Sequence, residues 1–184
     1  DRIRMGTLSE DPRVFIRSLP SRAAEDGLTD NIAEIVATLD RFGFDEVIIE
    51  TVGAGQTAYG VRAIAAVEIL VLTPGAGDYV QAMKAGIMET ADIYVVNKAD
   101  QPGADRVAGE LLGVMRHGPD GRPPPVLQVR HDEAAGFAAL DSALQHHFAQ
   151  APDGVDLQRR RRSRRRFRVR KLLQRRLHEV LAKL

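Results

Sequence analysis

With 184 residues, 44% apolar and 28% charged, the chain is long enough for one α/β domain with a real core and leaves little for a second. It has no cysteine, which excludes disulfides, thiolate zinc sites and cysteine nucleophiles, and no apolar run reaches the ~18–20 residues that span a bilayer. The net charge of +1 hides a division: residues 1–155 hold 13 Lys/Arg against 23 Asp/Glu and residues 156–184 hold 13 against 2, an acidic body with a basic tail.

The sequence opens on Asp1 and ends on Leu184 inside an amphipathic pattern, as expected of a piece cut from a longer parent. With no basic-then-apolar leader, the expected location is the cytoplasm. Val14-Phe15-Ile16 is a short β-prone run. From Thr29 or Asp30, both good N-caps, Ile32, Ile35, Val36, Leu39 and Phe42 follow helical spacing until Gly43 stops the helix. Asp45–Glu50 is predicted as a buried strand, its terminal carboxylate running into Thr51-Val52-Gly53-Ala54-Gly55-Gln56. A helix over 56–66 follows, then a strand Ile69–Thr73 and the turn Pro74-Gly75-Ala76-Gly77. Asp78 caps a helix to about Thr90, and Ile93–Val96 is the next strand. A helix over about 104–116, a strand Val126–Val129 and a helix Glu133–Phe148 complete the body. Strands alternating with helices of this length imply βαβ units, hence an α/β fold with a mainly parallel sheet flanked by helices. After Ala151-Pro152-Asp153-Gly154 comes the basic run Arg159–Lys171. Val169, Leu173, Leu177, Val180, Leu181 and Leu184 keep one apolar helical face. Residues 1–150 therefore read as the body, and 151–184 as a basic amphipathic helix.

Chemistry concentrates at two strand ends. Guanine presents two adjacent donors, N1–H and the N2 amino group, and the Asp100 carboxylate of Asn97-Lys98-Ala99-Asp100 could accept both, which adenine does not allow. Asn97 would tie the loop to the base, and the Lys98 stem would lie along the base plane. The bland alternative is a polar turn after a strand. Glu50, at a strand end, could orient Mg²⁺ directly or through water, and Gly53 would let a backbone N–H approach the terminal phosphate. Pro74–Asp78 is either a strand-to-helix turn capped by Asp78 or a functional switch. It is not a Walker A loop: of Lys84, Lys98, Lys171 and Lys183, none follows a glycine or precedes Ser/Thr. The histidines show no metal spacing, no catalytic triad is in view, and the arginine run has only Phe167 as an aromatic. Nucleic acid and membrane are therefore not expected as partners.

Ile49–Gln56, Pro74–Asp78 with Gln81 and Lys84-Ala85-Gly86-Ile87, and Ala91-Asp92-Ile93 leading to Asn97–Asp100 together resemble the methylmalonyl-CoA mutase-associated GTPases, the MeaB/ArgK-type proteins. Asp1–Met5 and Phe15–Ser18 look like further pieces of that pattern, and the likeness is strongest over about 1–117. It implies a P-loop-NTPase-like fold, incomplete at its N-terminus. The implied activity is that of a GTP hydrolase that protects an adenosylcobalamin-dependent acyl-CoA mutase and gates its cofactor loading. On this resemblance GTP/GDP and Mg²⁺ are the ligands, and the cobalamin belongs to the partner mutase. Asp1 and Glu50 would lie at the Mg²⁺ site, Glu50 and Gly53 would serve hydrolysis, and Asn97, Lys98, Asp100 and Val129 would bind the nucleotide. Asp78, Gln81 and Lys84 would belong to a switch that reports to the mutase, and the full-length parent would dimerise through C-terminal helices, of which 151–184 is the start. The sequence departs from the pattern where a Ser-Ala pair near the base is replaced by Val129-Arg130-His131. A non-enzymatic mutase-interaction fragment is the alternative reading.

Overall fold

The computed structural model describes residues 5–6, 8–20, 28–51, 58–75, 91–115, 123–150, 162, 165–167, 169–174 and 176–177. Six helices and strands of the body fall where the periodicity places them. Helix α1 spans Ile32–Phe42. Strand β1 is Ile69–Leu72, β2 is Ile93–Asn97, and β3 is Val126–Val129. Between β2 and β3 lies a helix at Ala104–Val114, and after β3 a helix at Ala134–Gln150. With a short helix α2 at Ala58–Arg62, these last two become α3 and α4. The expected helix from Asp78 to Thr90 lies outside the described residues.

The sheet has the order β1-β2-β3 and both pairings are parallel, with Ile69 opposite Ile93 and Asn97 opposite Val129. β2 is central and buries four consecutive residues, Ile93 to Val96, because both its faces are covered. Tyr94 and Val96 join Leu70, Leu72, Ala104, Ala108 and Leu111 on the side of α3. Ile93, Val95 and Val129 pack with Leu140, Ala143 and Leu144 of α4 on the other. A helix, a sheet and a helix thus form three layers. On β1 only alternate residues, Leu70 and Leu72, are buried.

Three sequence expectations need correction. Asp45–Glu50 is not a strand of this sheet: among the described residues it pairs with no neighbour, and Ile48 is 91% exposed. β-Branched residues favour an extended backbone, but a strand exists only where a second chain segment exchanges hydrogen bonds with it. Here only Ile49 turns inward, onto a cluster of Leu28, Ile32, Ile64 and Phe167. Val14–Ile16 likewise forms no ladder, and Phe15 instead meets Phe44, ring centroids 6.2 Å apart. Helix α2 ends at Arg62 rather than 66, closed by a tight turn in which Ile64 and Ala65 both donate to the Val61 carbonyl.

Capping of α1 shows how local chemistry sets boundaries. Gly43 stands at φ 87°, and its N–H and that of Phe44 satisfy the carbonyls of Asp40 and Leu39. At the other end Asn31, not Thr29 or Asp30, is the N-cap. Asp30 is engaged elsewhere, 3.5 Å from the Nζ of Lys171.

The basic tail is helical at its described positions, and the residue it buries, Phe167, is not one of its aliphatic stripe. Phe167 is 3% exposed against Leu28, Ile32 and Ile64, while Val169, Leu173 and Leu177 lie on the surface. An aromatic ring offers more area to bury than any of those aliphatic residues. Lys171, one turn on, follows it inward with its ammonium 5.7 Å from the Phe167 ring and beside Asp30. Among the described residues no helix is long and apolar enough to cross a membrane.

Candidate functional site

The C-terminal ends of β2 and β3 build one corner of the molecule. Asn97 is the last residue of β2 and lies opposite Val129. Its side-chain Oδ1 accepts the Lys98 N–H at 2.8 Å, and Lys98 takes a left-handed backbone with φ 55°. For a residue with a long side chain that conformation costs roughly 1–2 kcal/mol, so the surroundings must impose it. They do so through two bonds: the Ala99 N–H donates to the Val129 carbonyl at 3.1 Å, and the Gln101 N–H to the Lys98 carbonyl at 2.9 Å. The chain is turned back over the sheet end, with Asn97 half-buried and Lys98 and Asp100 exposed.

The next residue on β3's side of the corner is Arg130. Its Nε donates to Asp132 Oδ1 at 3.1 Å and its Nη2 to Asp132 Oδ2 at 3.0 Å, with Glu133 Oε2 3.8 Å away. That fork lowers the Asp132 carboxyl below its ordinary range. The Arg130 pKa is raised, first by this hydrogen bond, then by the charges of Asp132, Glu133 and Asp100. Gln128 reaches Asp105 of α3 at 3.0 Å, which fixes β3 against the helix that follows the Asn97–Asp100 turn. On the other face α4 approaches so closely at Gly136 that a β-carbon there would come within 2.8 Å of the Gln128 carbonyl oxygen and 3.1 Å of Val129 Cα.

Of the sequence-predicted residues, Asn97, Lys98, Asp100 and Val129 are brought together here. The Val129 side chain points into the core, and what it offers the turn is its carbonyl. Glu50 is exposed at the end of the 44–51 segment, and its carboxylate makes no ion pair or hydrogen bond with another described residue. Asp1, Gly53, Asp78, Gln81 and Lys84 lie outside the described residues. Among the described residues no three metal-ligating side chains cluster. Sequence reasoning missed Arg130 as a participant, although the Arg-x-Asp spacing after a strand was visible. It also missed the left-handed Lys98, which leaves no sequence signal.

A second polar cluster sits at the opposite ends of the strands. The Glu68 N–H donates to Asp92 Oδ2 at 2.9 Å, and Arg62 of α2 donates from Nη1 to Glu68 Oε2 at 3.1 Å, with Asp92 Oδ1 3.9 Å from Nη2. Burial raises the Glu68 carboxyl above its usual range despite Arg62. It joins α2 to the starts of β1 and β2 and is far along the strands from the Asn97 corner.

The chain is 38% identical over 169 residues to a protein of Pyrococcus horikoshii designated a GTPase, covering 89% of this chain and 53% of that protein. A protein of Pyrococcus abyssi with the same designation is 40% identical over 152 residues, covering 80% and 47%. The mitochondrial methylmalonic aciduria type A homolog of Caenorhabditis briggsae is 35% identical over 167 residues, covering 88% and 40%. The chain thus spans about half the length of the relatives it matches. The profile of the methylmalonyl Co-A mutase-associated GTPase MeaB matches residues 1–183, and the chain belongs to that family.

Proposed function

We propose that this chain carries the guanine-reading part of a GTPase that protects an adenosylcobalamin-dependent acyl-CoA mutase and gates loading of its cofactor. The observation that carries the reading is the Asn97–Asp100 turn, which leaves the central buried strand with Lys98 held left-handed and Asp100 open to solvent. Asp100 accepts guanine N1–H and N2–H, Asn97 holds the turn against the base, and the Lys98 stem covers its plane. Glu50 suits Mg²⁺: the ion keeps most of its waters and asks for one or two carboxylates plus phosphate oxygens, and an exposed carboxylate with no ion-pair or hydrogen-bond partner among the described residues is such a donor. When bound, Mg²⁺ would draw charge from the β- and γ-phosphates. Asp1 is the second carboxylate, Gly53 admits the terminal phosphate, and Asp78, Gln81 and Lys84 pass nucleotide state to the mutase. Residues 151–184 begin the region through which the longer parent dimerises.

No lysine here follows a glycine, so a Walker A grip on the phosphates is missing from these 184 residues. Several charge-assisted hydrogen bonds at about 1.5–3 kcal/mol each are thereby absent. The expected result of titrating the chain with a fluorescent GDP analogue is binding weaker than micromolar, with guanine still preferred over adenine at millimolar nucleotide. No preference for guanine would overturn the reading. The alternative, a mutase-docking module without nucleotide function, predicts capture of a cobalamin-dependent mutase that is indifferent to GDP.

A further inference from the structure

We propose that Arg130 is a second specificity-determining group of the base site, a guanidinium that donates to the N7 and O6 acceptors of guanine while Asp100 takes the N1 and N2 donors. The inference rests on the guanine reading above and deepens it.

Position comes first. The register sets Asn97 opposite Val129, and the Ala99 N–H is bonded to the Val129 carbonyl. Arg130 is the residue directly beyond that carbonyl, so the Asn97–Asp100 turn and Arg130 leave the sheet side by side. The Asp100 carboxylate is near enough to add, as the last of several causes, to the raised Arg130 pKa.

Chemistry comes second. Guanine's two edges are complementary in kind: donors on one side, and on the other a pair of acceptors that a planar guanidinium matches in bidentate fashion. Adenine shows an acceptor and a donor on that edge, so an arginine there rejects it just as Asp100 rejects it on the other. Arg130 has donors to spare. Nε and one Nη2 hydrogen are committed to Asp132. The second edge of the plane, Nη1 with the other Nη2 hydrogen, has no hydrogen bond among the described residues.

Preorganisation is the third point. A free arginine loses rotamer entropy when it meets a ligand, but one already gripped by Asp132 on one edge, with Glu133 near, has lost most of it beforehand.

The test is an NMR titration of the full ¹⁵N-labelled chain with GDP, 7-deaza-GDP, in which a C–H replaces N7, and ADP, each to millimolar concentration. The wild type should prefer GDP to 7-deaza-GDP. Arg130→Met should weaken GDP by about 10-fold, within the range for one bidentate base contact, and should erase the difference between the two guanine nucleotides. Arg130→Lys, which keeps the charge and loses the fork, should also fail to tell them apart. If Arg130→Met lowers both guanine nucleotides equally or neither, Arg130 does not read the base. If in that case Asp100→Ala still abolishes the preference for GDP over ADP, the guanine reading stands and only the role of Arg130 falls. A wild type that does not distinguish GDP from ADP overturns both. Arg130 is substantially exposed, so its variants should keep the native circular dichroism.

Discussion

Lys98 is held in a backbone conformation that its own side chain disfavours, and that conflict makes an experiment. Lys98→Gly relieves the left-handed strain, which outweighs glycine's extra chain entropy, and should leave the fold unchanged or more stable by about 0.5–1 kcal/mol. The same change deletes the stem that would cover the base, so preference for GDP over ADP should fall. Urea midpoints and the nucleotide titration together read both effects, and loss of stability would show that the side chain, not the turn, holds the corner. Glu68 offers a pH test at the other end of the strands. Burial raises its carboxyl above the ordinary 4.5, so the folded chain holds that proton more tightly than the unfolded chain. Its contribution to stability must then fall as pH rises from the ordinary value through the raised one. Glu68→Gln removes that slope. Urea midpoints of the two proteins, measured from about pH 4 to pH 7, should show the wild type losing ground to the variant as pH rises. A pH-independent difference would contradict the assignment.

At the scale of elements, the helices and strands that reached the ladder were those whose apolar residues could be covered. Helix α1 and strands β1, β2 and β3 were legible because periodicity and turn residues agreed with the final packing. Asp45–Glu50 was misread for a physical reason: Val47, Ile48 and Ile49 report an extended backbone, whereas strand partners are a property of distant sequence. Of the site, Asn97, Lys98 and Asp100 could be read because their chemistry follows an apolar run directly. The Arg130–Asp132 clamp could not, because nothing before the register was known placed the end of β3 beside the turn after β2. Gly136 shows how tightly that placement is fixed. Gly136→Ala puts a methyl against the backbone of β3, where neither neighbour is a flexible side-chain end, and should cost about 1–3 kcal/mol. Helix propensity alone would predict a gain of nearly 1 kcal/mol from the same change, so the sign of the shift in thermal midpoint decides between them.

On the scale of the whole molecule, an acidic body and a basic tail are joined by contacts as well as by sequence: Phe167 sits in the cluster of Leu28, Ile32 and Ile64, and Lys171 beside Asp30. The three-layer body is assembled from parallel neighbours that lie far apart along the chain, and this bears on the hydrogen bond from Ala99 to Val129 at the C-terminal ends of β2 and β3. That bond exists only while β3 is seated against β2, so the Asn97–Asp100 turn has no lifetime of its own. Deuterium should enter the Ala99 amide at the rate at which β3 unseats, in step with the ladder amide of Tyr94, which donates to the Pro125 carbonyl at the other end of the same pairing. Exchange at Ala99 as fast as in an open loop would mean that the turn frays while the sheet stays whole. Matched rates would make recognition and folding one cooperative event, so that a nucleotide held at this corner would slow the unzipping of the strands themselves.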